Sequence, residues 1–167
     1  AATVATKGLT AFTKAPTISL VSTNIVKTTQ AGAKDVADAT IIFDVKANGG
    51  DIYIQKYAAG DIWVTATGAT SYQFTSTADT TTAVAGHDDF YVIRSGETKQ
   101  FTITGRIDGN DAFAEMALSE IFWYGATPDD THKDVGDAVI KDQEILATNY
   151  DLSTFKTTSV YLDDPAK

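Results

Sequence analysis

Two histidines and a scatter of acidic turns are the residues of this sequence with the most chemical potential. His87 and His132 each sit in a polar, acidic stretch. A zinc centre would need both of them plus carboxylates. Neither an H-x-H nor an H-E-x-x-H spacing is present, so the plain reading is two surface histidines. Acidic turns occur at Asp88-Asp89, at Asp108-Gly109-Asn110-Asp111 and at Asp129-Asp130. Calcium favours such oxygen donors, and Asp108, Asn110 and Asp111 are the best candidates for it. That run lacks the twelve-residue loop and closing glutamate of a dedicated calcium site, so a solvated turn and no resident cofactor is the expectation.

Nucleophilic and acid–base chemistry find little support. There is no G-x-S-x-G elbow, and the absence of cysteine removes thiolate nucleophiles and disulfides. Glycoside hydrolysis needs two carboxylates facing each other across a cleft. Glu97, Glu115, Glu120 and Glu144 are present, but nothing marks any two as a pair. The chain is expected not to be an enzyme; a small carboxylate or metal-dependent enzyme remains an alternative. Asn48-Gly49-Gly50 is not a phosphate loop, since the G-x-G-x-x-G pattern and a following helix are missing. Trp63, Trp123 and Tyr124 could form an aromatic platform for a cell-wall glycan or another surface ligand, the apolar ring meeting the apolar face of a sugar.

Thirteen lysines and arginines stand against 22 acidic residues, a formal charge of −9. That field repels a phosphate backbone, and no basic run grips nucleic acid or anionic lipid. No stretch of 18 apolar residues argues for membrane insertion. The hydrophobic share of 43% is too high for a wholly disordered chain. One domain with a substantial core is the default at 167 residues.

The elements that must position these groups read as strands. TIIFDVKA (40–47) turns Ile41, Phe43, Val45 and Ala47 to one face, and DIYIQK (51–56) turns Ile52 and Ile54 inward. Asn48-Gly49-Gly50 between them reads as a turn or corner; the two strands need not pair, since a sandwich may carry them on different sheets. KQFTITGRID (99–108) is the clearest half-buried strand, with Phe101, Ile103, Gly105 and Ile107 on one side. TISLVSTNIVKTT (17–29) is one long strand or two short ones, with a slip near Ser22-Thr23 that a bulge would explain. DIWVTA, GATSYQFTST and FYVIR read as further strands. AFAEMALSEIFWYG (112–125) reads mostly as strand with an irregularity at Ser119-Glu120. STFKTTSVYL (153–162) reads as a terminal strand with Val160 and Leu162 inward. Residues 30–39 read as a polar link, 78–89 as a long loop and 127–144 as an acidic excursion. Eight or nine strands without alternating helices predict an all-β, antiparallel immunoglobulin-like sandwich; a jelly roll or eight-stranded barrel is the alternative.

Residues 1–15 are set apart by Pro16 as an extended N-terminal arm, leaving 16–167 as a single sandwich domain. Val4, Leu9 and Phe12 of this arm could fill gaps in a neighbouring subunit. The opening AAT looks like the end left by signal-peptide cleavage, which implies an extracellular or cell-surface location.

Three stretches carry a resemblance: FDVKANGGDIYI (43–54), GETKQFTITG (96–105) and LSTFKTTSVYL (152–162). They resemble secreted bacterial immunoglobulin-like domains of surface proteins and surface appendages. The resemblance implies a surface role without catalysis. The expected function is therefore a structural subunit of an extracellular filament or surface layer. Its partners are copies of itself, joined when the arm adds a strand to a neighbour's sheet. A cell-surface glycan- or ligand-binding module is the alternative.

Overall fold

The computed structural model describes residues 14–29, 32–55, 69–82, 89–118, 120–125, 144–146 and 152–165. Among them the chain is all-β. Eleven strands form three antiparallel sheets: β1 (Ala15–Thr28), β2 (Val36–Asn48), β3 (Ile52–Gln55), β4 (Ala69–Ser76), β5 (Asp79–Thr82), β6 (Asp89–Ile93), β7 (Thr98–Asp108), β8 (Ala112–Ala114), β9 (Glu120–Tyr124), β10 (Glu144–Leu146) and β11 (Val160–Leu162). One sheet has the order β1-β2-β7-β4, a second β10-β9-β3-β6-β5, and β8 pairs with β11 as a separate ribbon. This is sandwich-like packing of open sheets, and among the described residues no sheet closes into a barrel.

Period-two patterning builds the core. On β2, Ala37, Ala39, Ile41, Phe43, Val45 and Ala47 are all buried, and on β7 so are Phe101, Ile103 and Ile107. Their neighbours in sequence face outward. Phe101 lies at the centre of an aromatic cluster. It stacks on Phe43 at 5.6 Å and on Phe74 at 5.4 Å within its own sheet. It meets Tyr91 of β6, in the facing sheet, edge-on at 5.6 Å. Each such fully buried large side chain contributes about 1.5–3 kcal/mol.

Asn48-Gly49-Gly50 is a sheet corner. β2 and β3 do not pair; the chain leaves the four-stranded sheet at Asn48 and enters the five-stranded one at Ile52. Gly49 takes a φ of 78°, which a side chain would disfavour. The return crossing, between β6 and β7, lies alongside. The Gly96 amide donates to the Ala47 carbonyl at 2.9 Å and the Ala47 amide to the Glu97 carbonyl at 3.0 Å. Asp51 joins the two corners: its carboxylate accepts from the Ser95 amide at 2.9 Å and from Arg94 Nη1 at 3.1 Å. The Ser95 amide, and then Arg94, hold this carboxyl below the usual carboxylate range.

β1 is one strand with the expected break. Its register against β2 shifts between Leu20 and Ser22. The extra residue lets Ile18 and Leu20 before it, and Ile25 after it, all pack on the core despite their mismatched parity.

Several expected boundaries are corrected. The presumed link 30–39 ends early, because β2 starts at Val36 and buries Ala37 and Ala39, whose small side chains gave no periodic signal. The presumed loop 78–89 contains β5, four residues that hydrogen-bond to β6 without burying bulky groups. The run 112–125 is not one strand: β8 and β9 belong to different sheets, although Ala114, Met116 and Leu118 do alternate inward between them. Of 153–162 only Val160–Leu162 is strand, preceded by a 3-10 turn at Leu152–Thr154. Ala15 belongs to β1 rather than to the arm. The strand expected at 61–66 lies outside the described residues.

Candidate functional site

Of the three residues expected to form a ligand platform, the described ones, Trp123 and Tyr124, are buried, each 3% exposed. Trp123 joins the main core; Tyr124 meets Phe90 edge-on at 5.3 Å in a second cluster with Tyr53. A strand covered on both faces buries both parities, and the sequence carries no mark of that second covering. Trp63 lies outside the described residues, as do Val4, Leu9, Phe12, His87 and His132.

The calcium candidates Asp108, Asn110 and Asp111 lie together at the turn between β7 and β8. Asp111 adopts a φ of 51° and accepts the Asp164 amide at 2.8 Å. Asn110 is exposed and Asp108 half-buried. Among the described residues no group of three or more histidines or carboxylates is arranged to hold a metal ion.

What gathers here instead is a knot of lysines, carboxylates and backbone. Asp35 is buried; Lys27 Nζ lies 2.6 Å from its Oδ2, and the Asp163 amide donates to the same oxygen at 3.0 Å. The Asp35 carbonyl accepts from the Gly109 amide at 2.6 Å, and the Asp35 amide donates to the Asp163 carbonyl at 2.9 Å. Lys34 pairs with the buried Asp164 at 3.1 Å. The Lys27 hydrogen bond, and then the Asp163 amide, lower the Asp35 carboxyl below its ordinary range. The arrangement ties residues 163–164 to the start of β2 and the end of β7.

An exposed aromatic pair lies nearby. Phe113 of β8 and Tyr161 of β11 stand opposite each other in register, ring centroids 5.3 Å apart and planes at 72°. Phe113 is 70% exposed and Tyr161 43%, while Ala114 and Leu162 beside them fill the core. Two residues along the same outward side, Glu115 pairs with Lys156 at 4.0 Å. Rings beside a half-exposed ion pair can stack on an apolar ring face and hydrogen-bond to hydroxyls at its rim. The outward parity of Phe113 is legible in the sequence; its juxtaposition with Tyr161, 48 positions later, is not.

The outward face of the four-stranded sheet offers a depression of about 620 Å³. Asp38, Thr40, Ser71, Gln73, Thr104 and Arg106 line it, with Asp38 and Arg106 paired at 3.6 Å. It has hydrogen-bonding groups and, at its lining, one half-buried ring, Tyr72, and its ion pair is well solvated and correspondingly weak.

The third feature is the margin of β1. Among the described residues β1 pairs only with β2, and none of them pairs along the other side of this 14-residue strand. From Ala15 to Val26 it bears no charge, and Val21 and Val26 are 50% and 52% exposed. The lysines that flank it turn away: Lys14 Nζ donates to the Gly125 carbonyl at 2.8 Å, and Lys27 Nζ to the Tyr161 carbonyl at 2.8 Å in addition to its Asp35 contact. No family model, curated protein or solved structure matches the chain.

Proposed function

We propose that the chain is a structural subunit of an extracellular filament or surface layer, in which residues 1–13 of one copy add a strand to a neighbour's sheet. The observation that carries this reading is the margin of β1 that no described residue pairs with. It is long, uncharged over twelve positions and directly continuous with the arm. Unpaired backbone along such an edge is a template for another extended segment. The charge distribution supports it too. Residues 1–34 contain four lysines and no acid, whereas the remainder carries nine cations against 22 acids. The basic end of one copy is attracted to the acidic body of another.

On this reading the sandwich is of the immunoglobulin-like kind. Of the three stretches that carry the resemblance, 43–54 contains the corner at 48–51 where the chain changes sheets, and 96–105 begins within the return corner at 94–97. The test is negative-stain imaging and sedimentation of the full chain beside a variant lacking residues 1–13. Polymers from the full chain and monomers from the variant are expected. Polymers of equal length and yield from both sink the arm.

Phe113 and Tyr161 favour a second reading, a ligand-binding module for surface glycan. It expects a monomer in which these two rings, and not a tryptophan, take the sugar.

A further inference from the structure

We infer that the acceptor for residues 1–13 of a second copy is the outer edge of β1 itself; this deepens the assembly reading above and rests on it. Sheet proteins guard long edges with lysine, proline, bulges or covering segments. β1 has the residues for such a guard but does not deploy its charges. Lys14 is drawn to the Gly125 carbonyl, and Lys27 to Asp35 and the Tyr161 carbonyl. What remains is Pro16 at one end and the register shift at Val21. Between that shift and the end of the strand, Ser22–Thr28 is an unbroken run with no proline and no outward-facing lysine.

The occupant is matched in length and chemistry. Thirteen extended residues span roughly 43 Å at ~3.3 Å each, close to the reach of β1. Residues 1–13 contain no proline, so every amide can enter a ladder, and no acid. Asp38 and Asp44, on β2 opposite Val26 and Ser19, stand one strand in from the edge. They attract Lys7 of an incoming arm. A second copy is favoured over the chain's own arm by turn chemistry. To fold back on β1, the chain would have to reverse at Phe12-Thr13-Lys14-Ala15, which contains none of the glycine, asparagine or aspartate that a tight hairpin demands.

Hydrogen exchange on the full chain tests this. Amides of residues 17–28 that point away from β2 should exchange about tenfold more slowly in concentrated than in dilute protein. A synthetic peptide of sequence AATVATKGLTAFT, added in excess to dilute protein, should protect the same amides and shorten the polymers. The double variant Val21→Lys/Asn24→Lys changes two exposed positions of β1. It should keep its melting temperature while losing both effects. Protection of another edge by the peptide, with β1 unchanged, overturns the assignment of the acceptor and leaves assembly through the arm standing. Protection of β1 that does not vary with concentration in a monomeric chain means the arm pairs within its own molecule, which overturns the acceptor and the assembly reading together. A monomeric chain with no protection from the peptide at any edge overturns both as well.

Discussion

Lys27 and Asp35 approach to 2.6 Å across the connection between β1 and β2, one side chain a third exposed and the other buried. The contact also shapes the surface, because it holds the lysine inward at the end of an otherwise bare strand.

Acid should therefore loosen this end of the molecule. The Asp35 carboxyl titrates below its ordinary 3.8 in the folded chain. A depressed carboxylate contributes stability that is complete above the unfolded value and disappears as pH falls through the folded one. Asp35→Asn is expected to lower the melting temperature at neutral pH and to flatten its decline below about pH 4. Melting curves across that range check it; a variant with the parent's acid profile contradicts the assignment. Asp51, depressed first by the Ser95 amide and then by Arg94, serves as the comparison at the sheet corners.

Phe101 joins the two main sheets, so its truncation should be felt globally. Phe101→Ala is expected to cost about 3–5 kcal/mol in urea denaturation, through lost burial and the cavity left among Phe43, Phe74 and Tyr91. A loss under about 1 kcal/mol would mean that the cluster relaxes around the gap.

Among the described residues, Gly109 is a glycine pressed against backbone. A Cβ there would collide with the Asp163 carbonyl and lie 2.9 Å from the Asp35 carbonyl oxygen. Gly109→Ala should destabilise by roughly 1–3 kcal/mol. It should also raise amide exchange at Asp163 and Asp164, the residues that would be pushed away. Unchanged exchange there, with stability lost elsewhere, contradicts the explanation.

The Phe113–Tyr161 pair separates the two functional readings. Phe113→Ala and Tyr161→Ala should each be tolerated, with a coupling of about 0.5–1.5 kcal/mol in a double-mutant cycle. If the chain binds surface glycan, either change abolishes the shifts that cell-wall oligosaccharides induce in the aromatic NMR signals. If an oligosaccharide panel leaves the parent's ring signals where they are, the ligand reading is lost.

Alternation alone makes the core strands legible in the sequence. Segments 40–47 and 99–107 need nothing but parity, and the slip in β1 is visible because Ile18 and Leu20 disagree in parity with Ile25. The same logic fails where side chains are small, as at Ala37 and Ala39, or where a strand buries both faces, as around Trp123 and Tyr124. Nor does it reach partners far apart in sequence. Phe113 and Tyr161, or Asp35 and Asp163, meet only because the chain's last described strand returns beside β8. Trp123 and Tyr124 show the limit: ring type is readable, and which ring ends in water is decided by what covers and pairs with its strand.

The order β1-β2-β7-β4 also has a consequence for how the molecule is made. Lys46 pairs with Thr98 and Val36 with Asp108, so β2 waits for a partner synthesised roughly 50–70 residues later. The first two strands can pair with both margins still bare, and the layer closes through a long-range contact of the kind that slows folding to milliseconds or longer. During that interval neighbouring unfolded copies can exchange strands, so the concentration of folding chains should bear on yield alongside the stability of the finished sandwich.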